Sequence, residues 1–484
     1  MVHSSDKLET IPESEDIRSR AAHSLQLHRK LGLLVLWNAD EPDTIGAWLP
    51  ISVDAGQFCI LGRGHGTSTD QYPRLIAVRE RGYGIERLPP FASPSLSRIQ
   101  VLIQYNEHYL DLTNVGRRQM LVNGRVAHQK QVRSSDIVEL GSKLAFLCSA
   151  RPRSYDSLPV RMYGSFDFGQ ADPHGLVGES EALWILRTEI AFAAARGGHV
   201  LVLGASGAGK ELVSQALHRL SRQKGPLVAR NAATIPETLV DAELFGNMKG
   251  YPNPGMPERK GLLGAAHNGT LFLDEFADLP VSAQAHLLRV LDGGEYHRLG
   301  EDVARHSDFR LFAATNRPLS TLRDDVIARF DFRIRVPELA QRREDIPLLA
   351  RHLLCAMTER EPELRNRLFA ENGLPRFCPG FVRRLVQREY DTNVRELRSL
   401  LWRSVSSSQR DQLEWPEARH PDASLAEPAR PPEFDPSSEA LQRALDANNG
   451  SIEKTWRALG LSSRHVLTRL LRKYGLSTTK HHRQ

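Results

Sequence analysis

The chain has 484 residues, with 64 Lys and Arg against 58 Asp and Glu, a net +6 with neutral histidines and an isoelectric point near 9.2. That length suits about three domains, and the longest apolar run, Leu31 to Trp37, is far too short to span a bilayer. Cys59, Cys148, Cys355 and Cys378 lie far apart without metal-ligand spacing; they read as reduced thiols of a cytoplasmic chain with no membrane partner.

Residues 1–30 are polar and of mixed charge, a loose arm with a short helix expected from Glu15 to Arg29. Residues 31–151 alternate short apolar runs with Gly and Asn turns. Expected strands are Leu33–Trp37, Phe58–Leu61, Arg74–Val78, Ile99–Ile103, Tyr109–Leu112, Met120–Val122, Asp136–Leu140 and Leu144–Leu147, an all-β sandwich. Leu61-Gly62-Arg63, Ser97-Arg98, Val122-Asn123-Gly124 and Asp136–Gly141 resemble a forkhead-associated domain. The resemblance implies that Arg63, Ser97 and Arg98 hold a phosphothreonine through charge-assisted bonds. Gln100 stands where that family has His, and Arg118-Gln119 where it has Asn-Gly. A sandwich that only docks on a neighbouring domain is the other reading.

Residues 152–175 carry Pro152, Pro159 and Pro173 among Gly, Ser and Asp, a linker. An α/β domain is expected over 176–341. Its Val200-Leu-Val-Leu203 is a buried strand running into Gly204, Ala205, Ser206, Gly207, Ala208, Gly209, Lys210 and Glu211. This is a phosphate-cradling P-loop: glycines let successive N–H groups face phosphate oxygens, and Lys210 and a helix N-terminus add positive charge. Thr270-Leu-Phe-Leu273 delivers Asp274 and Glu275 at a second strand end. Asp274 is the candidate Mg²⁺ holder and Glu275 the candidate base or orienter for an attacking water. ATP with Mg²⁺ is the expected cofactor pair.

Glu211 replaces the usual Ser or Thr, and Lys210-Glu211-Leu212-Val213, with Val177-Gly178-Glu179-Ser180 upstream, resembles the bacterial enhancer-binding proteins. These are the AAA+ activators of sigma-54 RNA polymerase. The resemblance implies further roles. Asn231, ending the strand Leu227–Asn231, would switch Glu275 between idle and catalytic positions, or merely cap the next helix. Asn316, after Phe309–Thr315, would sense the γ-phosphate. Arg323 and Arg329 match an arginine-finger pair acting on a neighbouring subunit, which implies a closed homo-oligomeric ring, by resemblance a hexamer. Their other reading is surface arginines on a helix.

Glu243-Leu-Phe-Gly246 leads to Gly250, Tyr251, Pro252, Asn253, Pro254 and Gly255, where the family has the sigma-54 contact loop Gly-Ala-Phe-Thr-Gly-Ala. Two prolines remove two donors and stiffen the loop, so a retuned contact and a lost one both stand. Residues 342–409 read as a helical lid, in which Asn393-Val-Arg395 matches the second sensor and Arg395 would reach the γ-phosphate. Tyr390-Asp391-Thr392 stands for the family's Trp-Pro-Gly. Residues 410–434, rich in Pro, Ala, Glu and Arg, are a second linker.

From Asp435 onward nine bases face four acids, which points to a polyanion partner or to a solvated basic tail. Three helices are expected, near Ser437–Ala447, Ser451–Leu459 and Ser462–Tyr474, with Gly460-Leu461 as a helix-turn-helix turn. Leu467, Leu470, Leu471 and Tyr474 repeat on one face; Arg464, His465, Thr468 and Arg472 fall opposite, with Arg469 beside them. The block resembles a Fis-type end, despite Trp456 at a small-residue position. This implies an all-α double-stranded-DNA reader, against a basic protein-docking bundle. The whole implies a DNA-binding regulator remodelling polymerase through its sigma factor, or a nucleotide-switched regulator or repressor that does not engage sigma-54.

Overall fold

The computed structural model describes residues 29–65, 71–81, 84–152, 165–221, 223–251, 253–408, 411–416, 438–448, 450–459 and positions 467, 471 and 474. It forms two compact units, 1–416 and 417–484. The expected Glu15–Arg29 helix lies outside the described residues except at its end, where Arg29 opens a strand instead.

The N-terminal part of the first unit is a two-sheet β structure. One sheet runs Gly84–Arg87, Val78–Arg81, Trp48–Pro50, Arg29–Asn38, Leu144–Pro152, Ile137–Leu140, Met120–Val122, Arg125–Val126; the other runs Gln129–Val132, Leu110–Asn114, Val101–Tyr105, Phe58–Leu61. Alternation along Arg29–Asn38 sends Leu31, Leu33 and Val35 into the core between the sheets. The strand expected at Arg74–Val78 begins only at Val78. Arg74 makes just an isolated bridge to Ile60, after a proline that has no N–H to donate. Gln129–Val132 is so polar that no apolar alternation betrays it.

The α/β domain is built on a five-stranded parallel sheet in the order Leu227–Asn231, Gly269–Asp274, Phe309–Thr315, His199–Leu203, Phe330–Arg335. Its three central strands read as near-continuous apolar runs because both faces are covered. Val200, Val202, Phe272 and Phe312 pack on the face carrying helix Glu181–Ala195, and Leu201, Leu203, Leu271 and Leu311 on the other. Part of the stretch expected to be a linker is packed structure: Phe166 stacks on Trp184 at 5.8 Å, and Asp172 forms a fully buried ion pair with Arg187 at 3.0 Å. Residues 153–164 of it lie outside the described residues.

The lid comprises helices Ile346–Thr358, Pro362–Leu368, Pro379–Gln387 and Asn393–Ser407. Residues 411–416, expected in the second linker, return to it: Leu413 is buried and the Trp415 ring meets Phe381 at 5.7 Å. Sandwich and lid share one apolar core. Leu34, Leu36, Trp37, Trp48, Ile137 and Leu147 join Leu348, Phe377, Phe381, Leu385 and Leu401 in a single cluster. The outward face of the larger sheet is thus covered by the lid.

In the second unit, helices Ser438–Ala447 and Ile452–Ala458 are described. Leu441 and Leu445 bury against Leu467 and Leu471, with Trp456 and Tyr474 packed alongside. Leu470, Arg464, His465, Thr468, Arg469 and Arg472 lie outside the described residues.

Candidate functional site

Parallel strands end together, so their C-terminal ends deliver functional groups to one rim. Helix Lys210–Leu220 begins at Lys210, capped by Gly209 at φ 109°, with Gly207 at φ 73°; both angles favour glycine. Lys210, nearly buried, donates Nζ to Gly204 O at 3.2 Å and lies 3.9 Å from Glu275 Oε1. Glu275 sits at φ 49°, a left-handed turn in which its N–H donates to Asp274 Oδ1 at 3.0 Å. On the neighbouring strand, Asn316 Nδ2 donates to Glu275 Oε1 at 3.3 Å. From the lid, Arg395 Nη1 donates to Ser206 Oγ at 3.2 Å. P-loop, Asp274, Glu275, Asn316 and Arg395 therefore meet at one rim.

Asn231 is in register with Asp274 on the adjacent strand, and its Oδ1 accepts from Ala233 N at 2.9 Å, capping the 3₁₀ turn Ala232–Thr234. Arg323 pairs with Asp325 at 2.6 Å, and Arg329 pairs with Asp292. All four are solvent-facing, and each pairing pushes the arginine's pKa up through the carboxylate hydrogen bond.

Three further residues brace the site. Asn393, buried at φ 49°, donates to Ser206 O at 3.2 Å and accepts from Leu339 N at 2.9 Å. Val394 N donates to Gly207 O at 3.2 Å. Arg342, buried, donates to Ala208 O at 3.3 Å, and burial lowers its pKa. Asn393 and Val394 stand in the sensor stretch already singled out for Arg395, but the spelling gives none of the three residues its partner; chain folding supplies those.

The residues fit a magnesium nucleotide. Mg²⁺ is characteristically held by one or two carboxylates plus phosphate oxygens. Among the described residues no group of three or more His, Cys, Asp or Glu forms a self-sufficient metal cage, while Asp274 stands at the rim beside the P-loop. A Cβ at Gly209 would meet no atom within 4 Å, so the cradle is open in front of the loop.

In the sandwich, Arg63, Ser97 and Arg98 come together in one loop cluster. Arg63 N donates to Ser97 O at 3.0 Å, and Arg74 Nη1 donates to the carbonyls of both Arg63 and Arg98. A Cβ on Gly62 would sit 2.0 Å from Arg98 O, which makes glycine obligatory. Gln100, fully buried, donates to Asn114 Oδ1 at 2.7 Å and Arg118 O at 2.9 Å while accepting from Ser97 N. It ties the loops together.

Residues 247–259 form a loop closed on itself. Gly250 N donates to Met256 O at 2.8 Å, and buried Asn247 Nδ2 reaches Met248 O, Tyr251 O and Pro257 O at 2.9, 3.2 and 3.0 Å. Pro252 lies outside the described residues.

The sheet order, the P-loop, the two acids and Asn316 beside them define an AAA+ P-loop domain with a helical lid. Residues 176–340 match the model of the Sigma-54 interaction domain. The chain is 36% identical over 313 residues to the transcriptional regulatory protein ZraR of Salmonella typhimurium, covering 62% of this chain and 68% of that protein. It is 37% identical over 337 residues to the nitric oxide reductase transcription regulator NorR1 of Cupriavidus necator, covering 63% and 65%. A crystal structure of NtrX from Brucella abortus in complex with ATP is similar at 31% identity over 62% of this chain and 69% of that one, with a TM-score of 0.45. The chain belongs to the family of transcriptional regulators built on the sigma-54 interaction domain. Among the described residues no helix is long and apolar enough to cross a membrane.

Proposed function

We propose that this chain is a DNA-binding transcriptional regulator whose AAA+ domain hydrolyses ATP in a ring of like subunits to remodel sigma-54 RNA polymerase. One observation carries the reading. Lys210, Glu275 and Asn316 form a linked set at adjacent parallel strand ends, with Arg395 on the facing P-loop residue. Lys210 and the P-loop amides bind phosphates, Glu275 orients water for attack, Asn316 holds Glu275, and Arg395 reports the γ-phosphate to the lid. Asp274 would hold Mg²⁺, which when bound neutralises phosphate charge. Arg323 and Arg329 lie on the exposed surface, where a neighbouring subunit's nucleotide is reachable, and Asn231 switches Glu275.

In this reading the sandwich spans 31–151, the ATPase domain 176–341, the lid 342–409 and a Fis-type DNA reader 435–484, with Arg464, His465, Thr468, Arg469 and Arg472 toward DNA. The sandwich is a forkhead-associated domain whose Arg63, Ser97 and Arg98 cluster takes a phosphothreonine. In-vitro transcription with sigma-54 holoenzyme, a bound promoter and ATP tests the whole. ATP-dependent open complexes are expected, and their absence overturns the remodelling step.

A second reading, a nucleotide-switched regulator or repressor that leaves sigma-54 alone, is favoured by one observation: the self-closed 250–256 turn. Pro252→Phe with Asn253→Thr separates the two. If only this variant forms open complexes, the native loop has lost the contact.

A further inference from the structure

We infer that Arg151, a sandwich residue, is a positioning residue for the nucleotide site, acting through Glu344 on the segment that braces the P-loop; this deepens the ATPase reading and rests on it. Arg151 closes the strand Leu144–Pro152 and is 4% exposed. A guanidinium so removed from water demands acids. Its Nη2 donates to Glu344 Oε1 at 3.0 Å, its Nη1 lies 3.8 Å from Glu80 Oε2, and its plane covers the Trp48 ring at 5.3 Å.

Glu344 is the middle residue of the 3₁₀ turn Arg343–Asp345. Its near neighbours face two other ways. Arg342 donates to the P-loop carbonyl of Ala208. Asp345, 1% exposed, accepts from Glu179 N at 2.8 Å, Ser180 N at 2.9 Å and the Ser180 hydroxyl. Glu179 is paired at 3.5 Å with a second sandwich arginine, Arg81, which also donates to Phe166 O at 2.6 Å. Three residues within four positions, Arg342, Glu344 and Asp345, thus tie the P-loop, the start of the α/β domain and the sandwich together.

The link to phosphate binding is geometric. C=O and N–H of one trans peptide point in opposite directions. Holding Ala208 O through Arg342 therefore fixes the direction of the Gly209 N–H, one of the amides a P-loop offers to phosphate. Without Arg151, the Glu344 carboxylate loses the guanidinium that fastens it to the sandwich, and the turn that carries Arg342 loses that tether. An ion pair between sandwich and lid, Arg383 to Glu139 at 2.7 Å, anchors helix Pro379–Gln387 instead, away from the Arg342 segment. It is the natural control.

ATP affinity of the full-length chain is measured by calorimetry for wild type, Arg151→Met, Arg151→Lys, Arg383→Met and Arg342→Met, with thermal unfolding beside it. Arg151→Met is expected to weaken ATP binding about fivefold or more, with Arg151→Lys recovering most of it. Arg383→Met is expected to lower the unfolding temperature while leaving affinity within about twofold. On an Arg342→Met background the Arg151→Met change should add less than about twofold, since both act through one segment. Unchanged affinity in Arg151→Met, equal loss in Arg383→Met, or full additivity overturns the inference. Wild type that binds ATP tightly but never hydrolyses it overturns the ATPase reading and leaves this test intact; wild type that binds no ATP ends both.

Discussion

The indole of Trp37, from the sandwich, meets the phenyl ring of Phe377, from the lid, at 5.1 Å in a tilted contact. The two rings lie within one buried cluster, so sandwich and lid bury each other's apolar faces and should unfold together. Trp37→Ala should cost about 3–5 kcal/mol. The Trp37 Nε1 proton is buried with no hydrogen-bond partner among the described residues, an unfavourable element that Phe would remove. Trp37→Phe should therefore cost less than Trp37→Ala. Scanning calorimetry should show sandwich and lid melting in one transition, lowered more by Ala; a wild-type sandwich that melts separately from the lid would contradict the shared core.

Glu275→Gln keeps an Asn316-compatible oxygen but loses the charge that, in the proposed reading, orients water. ATP turnover should fall about 100-fold or more while ATP binding persists. Lys210→Ala should instead lose binding. Phosphate release and calorimetry, run together, separate the two outcomes; turnover unchanged in Glu275→Gln would displace the assigned base.

Arg329 is paired with Asp292 in its own chain, on a solvent-facing surface. If it acts on a neighbour's nucleotide, Arg329→Ala should reduce turnover about 1,000-fold. Mixing Arg329→Ala with Glu275→Gln subunits should restore part of the activity, because each supplies the group the other lacks. No recovery on mixing would confine the arginine to its own subunit.

Glu80 is buried, and burial pushes its carboxyl up to about 7 from an ordinary 4.5, with Arg151 opposing and Glu344 adding to the rise. A carboxyl whose folded pKa is raised stabilises the fold below its unfolded pKa, and that contribution is lost as pH rises through the folded value. Between about pH 4.5 and 7 the chain should lose stability from this group, each unit being worth about 1.4 kcal/mol. Glu80→Gln should flatten the unfolding temperature across that window; an unchanged slope would place the titration elsewhere.

Asn247, fully buried, organises three carbonyls of the 247–259 loop. Asn247→Ala should leave those carbonyls without their donor, at about 1–3 kcal/mol for a buried group. Faster limited proteolysis within 248–258 is the measurement. Cleavage as slow as in wild type would mean the prolines alone hold the turn.

Much of the motor is legible without coordinates. The apolar strand before Gly204, the glycines at 207 and 209, Lys210, and the strand ending in Asp274 and Glu275 depend on local spacing, and local spacing is written along the chain. The unbroken apolar run Leu31–Trp37 says that both faces of that strand are covered. It does not say by what: Leu33 and Val35 lie in the sandwich core, while Leu34, Leu36 and Trp37 lie against the lid. Asn231 is a capping residue or a switch on spelling alone, and only the fold puts its oxygen on Ala233 N.

By itself, the sequence determined the phosphate-binding loop, its acids and the sandwich class, because each follows from covalent order and the period of burial. Only the tertiary structure decided that Arg151 meets Glu344 across 193 positions, that Arg342 holds Ala208 O, and that the lid covers the sandwich. Hydrophobic burial is non-directional and marks which residues leave water. Partners for buried charges are chosen when distant segments close in three dimensions, where an unpaired guanidinium or carboxylate would be too costly to keep.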